Sequence, residues 1–304
     1  MSERRLHADQ PVVDAALVER LIASQHPRWS GLPIERVASD GTTNAIFRVG
    51  PTAAVRLPLV RYGEDAIDVE GRWLPRLARR LPCATPEQLA AGVPGAGYPF
   101  RWSVHRWLEG EAVSRTPAAE LVPLADDLAA WLAALHRVDT TGGRDAATHG
   151  LRGAPLAARD AETRRGLAAL ADEVDVDAAL AAWDAALRAE RWSRPLVWTH
   201  GDLLPGNLLA RGGRLAAVID FAGLGVGDPA CDLMIAWGLF GGRSRTAFRE
   251  ALRDAVHLDE ATWARGRGHA LYYAAIYIPY YRDTNPVGVA AARRQLAAVL
   301  EDGA

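Results

Sequence analysis

Lysine is absent from this 304-residue sequence: every one of its 35 basic residues is an arginine. A G+C-rich coding bias would produce the same absence together with the abundant alanine and arginine. Any permanently charged side-chain cation must therefore be a guanidinium, a planar bidentate donor instead of a compact point charge. Cysteine is scarce as well, with only Cys83 and Cys231, which excludes a disulfide framework and supplies no metal-binding spacing. Reduced thiols in the cytoplasm are the expectation. The longest membrane-like apolar run, Ala270–Tyr281, is far too short to span a bilayer. The polar start Met-Ser-Glu-Arg-Arg leads into no apolar core, so no signal peptide is expected. A formal net charge of −2 gives no reason to propose nucleic acid or an anionic membrane as a partner.

What is present is a globular composition, 49% apolar and 24% charged. At this length a single core is stretched, and two lobes are expected. No internal repeat stands out.

The most informative stretch runs from Trp198 to Asp232, Trp-Thr-His-Gly-Asp-Leu-Leu-Pro-Gly-Asn through Ile-Asp-Phe to Gly-Asp-Pro-Ala-Cys-Asp. Asp202 follows the apolar strand expected at Pro195–Trp198. Asn207 opens an expected strand Asn207–Ala210, and Asp220 closes Arg214–Ile219 after a Gly212-Gly213 turn. The hairpin brings Asn207 and Asp220 to one end. Transfer of a γ-phosphoryl group needs such a set: a carboxylate to take the proton of the acceptor hydroxyl, and two oxygen-bearing side chains to hold Mg²⁺ against the triphosphate. Asp202 is the candidate base, and Asn207 and Asp220 are the candidate metal ligands. His200 reads as a brace for the loop or as a direct participant. Asp228 before Pro229 reads as a helix N-cap. Asp232, one turn on, is placed to support the loop from below.

This layout is that of kinase catalytic and metal-binding loops, with His-Gly-Asp where protein kinases have His-Arg-Asp. Together with Gly227-Asp228-Pro229 and Asp232 it closely resembles the aminoglycoside phosphotransferase family of small-molecule kinases. The resemblance runs over nearly the whole chain, from Ile34 to the last helices. It implies an α+β, bilobal protein-kinase-like fold: a small antiparallel β lobe of five strands with a helix, and a larger, mainly helical lobe. ATP and Mg²⁺ would lie in the cleft, with GTP left open as the nucleotide.

Toward the N-terminus, Val12–Ser24 has helical spacing, with Leu17, Val18, Leu21 and Ile22 on one side. Ile34–Ala38, Ala45–Val49 and Ala53–Leu57 read as an antiparallel meander. Its first turn, Ser39–Asn44, presents Gly41, Thr42, Thr43 and Asn44, small and hydroxyl residues whose backbone N–H groups can approach phosphate; Asp-Gly is also a common hairpin turn. The resemblance puts Arg56 where kinases carry the strand lysine, and Glu70, fourteen positions on, becomes its expected partner in holding the α- and β-phosphates. The arginine is a departure from the family's pattern and puts the detail of that phosphate contact in question. Cys83–Pro99 reads as loop with at most one strand, and Phe100–Trp107 as a strand. Arg106, Trp107 and Leu108 are assigned as the hinge whose backbone would meet the base. The boundary falls there: residues 1–107 form the expected nucleotide-binding lobe and 108–304 the helical lobe with the catalytic and metal-binding loops and the acceptor site.

Beyond the hinge, helices are expected at Glu120–Arg137, Arg159–Asp172, Val176–Arg191, Ala230–Phe240, Ser244–Val256, Glu260–Tyr281 and Asn285–Leu300. The aromatics of Glu260–Tyr281 fit a core, yet its polar end suggests that Asp283, Tyr277 and Tyr281 edge an acceptor cleft. From Asp228 to the end there are nine acidic residues against nine arginines, so no acidic surplus is written there for a polycation. The reading is an ATP-dependent O-phosphotransferase acting on a small-molecule hydroxyl. An aminoglycoside antibiotic is the first candidate acceptor, and a macrolide, a sugar or another hydroxylated metabolite the alternative. A protein kinase fits poorly without an Asp-Phe-Gly to Ala-Pro-Glu segment. A nucleotide-binding regulatory module without turnover is the rival from another class.

Overall fold

The computed structural model describes residues 5–7, 9–38, 41–115 and 121–302. Ser39 and Asp40 of the turn expected to meet phosphate, and Glu120 at the start of an expected helix, lie outside the described residues. Helix α1 (Ala15–Gln25) starts where the Asp14 carboxylate accepts from Leu17 N–H at 2.7 Å, and its buried side is Leu17, Val18, Leu21 and Ile22. Strands β1 (Ile34–Arg36), β2 (Asn44–Val49) and β3 (Ala53–Pro58) form the meander. With β4 (Gln88–Gly92) and β5 (Trp102–Arg106) they make a five-stranded antiparallel sheet of order β1-β2-β3-β5-β4. Phe47, Val49, Val55, Leu57, Trp102 and Val104 pack against α1 as one core. Helix α2 (Asp65–Leu77), between β3 and β4, instead sends Val69, Trp73, Leu74 and Leu77 into the larger core that follows. Glu70 on this helix is therefore anchored to the lobe that carries the catalytic loop.

The second region is mainly helical. It contains β6 (Glu111–Ala112), α3 (Leu121–His136), α4 (Asp160–Ala168), α5 (Val176–Arg188), β7 (Val197–Thr199), β8 (Leu208–Arg211), β9 (Arg214–Val218) and β10 (Gly225–Gly227). After them come α6 (Ile235–Gly238), α7 (Gly242–Val256), α8 (Glu260–Tyr281) and α9 (Pro286–Glu301). α3 packs on α7, while α8 is the central helix against α4, α5 and α9. β6, β8 and β9 form one small sheet, and β7 pairs with β10. The fold is α+β, an antiparallel sheet lobe beside a helical lobe. Among the described residues no helix is long and apolar enough to cross a membrane.

Several boundaries move from the sequence-based expectation, for local reasons. The strand expected at Pro195–Trp198 begins at Val197. Asn207 ends a short 3-10 turn, Pro205–Asn207, and the strand begins at Leu208. α4 stops at Ala168 instead of Asp172 because the chain must turn before Asp175, which caps α5 by accepting from Ala178 N–H at 2.9 Å. α5 ends at Arg188 instead of Arg191, and the Glu190 carbonyl beyond it is taken by the Arg265 guanidinium. The helix expected over Ala230–Phe240 splits into 3-10 turns at Pro229–Met234 followed by α6.

Candidate active site

Asp202 sits in the loop after β7, and Asp232 holds that loop from beneath. The fully buried Asp232 carboxylate accepts from the backbone N–H groups of His200 and Gly201, each at 2.8 Å. Burial pushes this carboxyl above the usual range, an effect that His200 and the two N–H donors oppose. Gly201 has φ +76°, and a Cβ there would lie 2.3 Å from the Gly223 carbonyl oxygen, so this close crossing of two loops needs glycine. His200 Nδ1 accepts from Asp202 N–H at 3.2 Å, and its Nε2 donates to the Ile219 carbonyl at 3.1 Å. The imidazole thus ties the Asp202 loop to the end of β9. Its ring packs 4.7 Å from that of Phe221. Asp228 caps the following turn by accepting from Ala230 N–H at 3.0 Å, and it is clamped by Arg265 at 2.7 and 3.1 Å.

Asn207 and Asp220 meet at one end of the β8–β9 hairpin, where Ile219 N–H donates to the Asn207 carbonyl at 2.9 Å. Gly212 and Gly213, both at positive φ, close the other end. Asn207 Nδ2 donates to the Asp202 backbone carbonyl at 2.8 Å and lies 3.4 Å from Asp202 Oδ2. This orientation turns the amide oxygen away from Asp202, as a metal ligand requires. Asp220 adopts the left-handed conformation, φ 64°. Burial raises its carboxyl, but the Arg56 guanidinium and the Ala222 N–H outweigh burial and hold it below the usual range. Among the described residues no three His, Cys, Asp or Glu side chains converge as a metal cage. One carboxylate and one amide oxygen, completed by substrate phosphates, are the donor set that suits Mg²⁺.

Arg56, on β3, bridges the two lobes. It donates to Glu70 Oε1 at 2.8 Å and to Asp220 Oδ1 at 2.7 Å, and the Asn44 amide, with its oxygen toward Arg56, accepts from Nη2 at 3.0 Å and Nε at 3.1 Å. Glu70 Oε1 also accepts from Phe221 N–H at 2.9 Å. Arg56 and Glu70 pair directly, and the longer fork of arginine reaches the metal-loop carboxylate as well. Buried His105, 3.9 Å from Glu70, is driven down to about 4 by desolvation, against the pull of Glu70.

The described residues of the turn before β2 are tied to α8 through His7. The Thr42 carbonyl accepts from His7 Nε2 at 2.8 Å, while His7 Nδ1 meets the Tyr280 hydroxyl at 3.2 Å. Tyr281 and Tyr62 lie beside the Thr42 and Thr43 side chains. Gly41 is exposed at the loop's edge. At the hinge, the Arg106 side chain points outward to Glu87 at 2.6 Å. Its backbone N–H donates to the Glu87 carbonyl and that of Trp107 to the Thr52 carbonyl, and the Trp107 ring lies under Arg48. Of the three residues assigned to the hinge, Arg106 and Trp107 therefore have their backbone N–H groups taken by the protein's own carbonyls.

On α8, Tyr273, Tyr277 and Tyr281 stack along one face with ring centroids 5.2 and 4.4 Å apart. Tyr273 and Tyr281 lie near enough to Asp202 to feel its charge. Asp283 stands exposed beyond the helix end. Sequence reasoning missed Arg152, whose guanidinium bonds Asp202 Oδ1 and, at 3.1 Å, the Gly201 carbonyl. It also missed His7, Tyr62 and Tyr273. For Tyr273 a signal existed, the four-residue spacing with Tyr277 and Tyr281; for Arg152 and His7 no local pattern marks the residue.

No curated protein matches the sequence. The chain is similar in structure to the GDP and kanamycin complex of APH(2″)-IIIa, with TM-score 0.70 and 17% identity over 94% of this chain and 99% of that one. It is similar to the ADP-bound aminoglycoside phosphotransferase APH(2″)-Ib, with TM-score 0.58 and 18% identity over 95% and 99% of the two chains. It is also similar to the apoenzyme of a macrolide 2′-phosphotransferase from Brachybacterium faecium, with TM-score 0.61 and 24% identity over 96% and 99%. These likenesses establish the fold. The family model described as the phosphotransferase enzyme family matches residues 34–269, a span that holds the sheet, the Arg56–Glu70 pair and the whole catalytic stretch, and the chain therefore belongs to that family of phosphotransferases.

Proposed function

We propose that the protein transfers the γ-phosphoryl group of a nucleoside triphosphate to a hydroxyl of a small ring-bearing molecule. The observation that carries this reading is the junction of four groups at the end of one hairpin: Asn207 bonded to Asp202, and Asp220 bonded to Arg56. Residues 1–107 would form the nucleotide lobe and 108–304 the acceptor lobe. Neighbours of the same fold hold GDP or ADP, which supports nucleotide binding in the cleft, ATP first, with the Leu108 peptide toward the base and Arg56 toward the phosphates. Asp220 and the Asn207 amide oxygen would hold Mg²⁺, which when bound neutralises charge on the phosphoryl oxygens. Asp202 takes the proton as the acceptor oxygen bonds to phosphorus, and the bond to the bridging oxygen breaks with its electron pair going to the diphosphate. A cytoplasmic location fits this use of nucleotide.

The acceptors to try are the two classes named for the neighbours, aminoglycosides and macrolides. The tyrosine stack on α8 favours the less charged of these, since aromatic faces cover apolar rings and offer hydroxyls to polar groups. The test is nucleotide consumption over a panel of hydroxylated acceptors, with product mass and Asp202→Ala as control. Nucleotide binding without phosphorylation of any acceptor would favour a non-catalytic regulatory module.

A further inference from the structure

Arg152 lies in the loop before α4, and its guanidinium is fixed from three sides. It is paired with Asp202 Oδ1, donates to the Gly201 carbonyl at 3.1 Å, and sits 5.4 Å from the centroid of the Tyr273 ring. The wall that continues from this cation is the Tyr273, Tyr277 and Tyr281 stack. Two carboxylates near α8 are already engaged: Glu162 accepts from the Tyr272 hydroxyl at 3.0 Å, and Glu173 is held between Arg282 and Arg293.

We propose that Arg152 sets the charge of the acceptor: it admits beside Asp202 a hydroxyl whose ring neighbours are uncharged or anionic, and it refuses one flanked by ammonium groups. The inference rests on Asp202 being the acceptor's base. An ammonium seeking that carboxylate finds it neutralised by a guanidinium and would have to shed water beside a like charge. An ether, a carbonyl or a carboxylate on the acceptor instead gains a donor from the same guanidinium, bidentately where the group is planar. Proton transfer needs no displacement of the cation, because Arg152 holds Oδ1, and Oδ2, 3.4 Å from Asn207 Nδ2, remains for the hydroxyl.

The test is a calorimetric titration of the full chain with kanamycin as the polycationic probe, for the parent, Arg152→Gln and Arg152→Lys, each first checked for cooperative thermal unfolding like the parent's and titrated separately with Mg·nucleotide. Arg152→Met replaces the Gln variant should that one fail the check. The expected result is that Arg152→Gln binds kanamycin at least about tenfold more tightly than the parent, which corresponds to about 1.4 kcal/mol. That gain should shrink at high salt, and Arg152→Lys, which keeps the charge, should remain near the parent. Equal affinity for parent and Arg152→Gln, or tighter binding by the parent, overturns the proposal. Absent nucleotide binding by the parent would fail the phosphotransfer reading separately, with the kanamycin ratio still deciding the charge rule.

Discussion

The Arg56 guanidinium lies 2.7 Å from the Asp220 carboxylate although 164 residues separate the two, so a strand of the sheet lobe is fastened directly to the end of the β8–β9 hairpin that carries the proposed metal ligand. Glu70 completes the link from α2, buried to 1% exposure and 2.8 Å from the same guanidinium. A buried carboxylate that loses its cation is left with uncompensated charge, which costs roughly 3–5 kcal/mol.

Arg56→Ala is therefore expected to lower thermal stability and weaken nucleotide binding together, and Glu70→Ala to do part of the same damage. The double variant should fall short of the sum by about 0.5–3 kcal/mol, because the two side chains act as one unit. Calorimetric affinities that simply add would show that Glu70 does not position Arg56.

Asp202→Ala and Asp220→Ala should separate chemistry from binding. Losing the base is expected to cut turnover by about 10² to 10⁴ while Mg·nucleotide affinity stays close to that of the parent. Asp220→Ala should instead abolish the Mg²⁺ dependence of nucleotide affinity. Turnover by Asp202→Ala within about twofold of the parent would remove that residue from the role.

Acid should destabilise the protein from about pH 6.5 downward. Burial lowers His105 and His136 to about 4 and His269 to about 3, below the usual 6.5. Between pH 6.5 and those values the unfolded chain binds protons that the folded chain excludes, so stability is fully present above about pH 6.5 and falls as pH falls. Each histidine contributes about 1.4 kcal/mol per pH unit across its window. Thermal unfolding from pH 7.5 to 4.5 should show this slope, and His136→Leu should reduce it. A variant with the parent's slope would mean that His136 takes up its proton without unfolding.

His7 joins the turn proposed to meet phosphate to α8 through Thr42 and Tyr280. Its replacement by alanine removes one hydrogen bond to each side, worth about 1 kcal/mol apiece, and should weaken nucleotide binding roughly fivefold while leaving the bound-state rate of transfer nearly unchanged. Unaltered nucleotide affinity would show that the loop holds its place without this tie.

The segments legible in the sequence are those whose partners are neighbours along the chain. α8 has the bounds its periodicity implies, the Gly212-Gly213 turn is where its φ angles demand glycine, and Asn207 and Asp220 meet because one hairpin carries both. Helix ends are less legible, since they depend on which distant group claims the next carbonyl, as Arg265 claims that of Glu190. Tertiary structure alone brought Arg152 to Asp202, His7 to Thr42, and Arg56 to Asp220 in addition to the expected Glu70. Local propensity and hydrophobic period record what a residue does to its own turn of helix or strand. A single arginine or histidine that acts across the cleft leaves no period, and its partner is chosen by the packing of the two lobes.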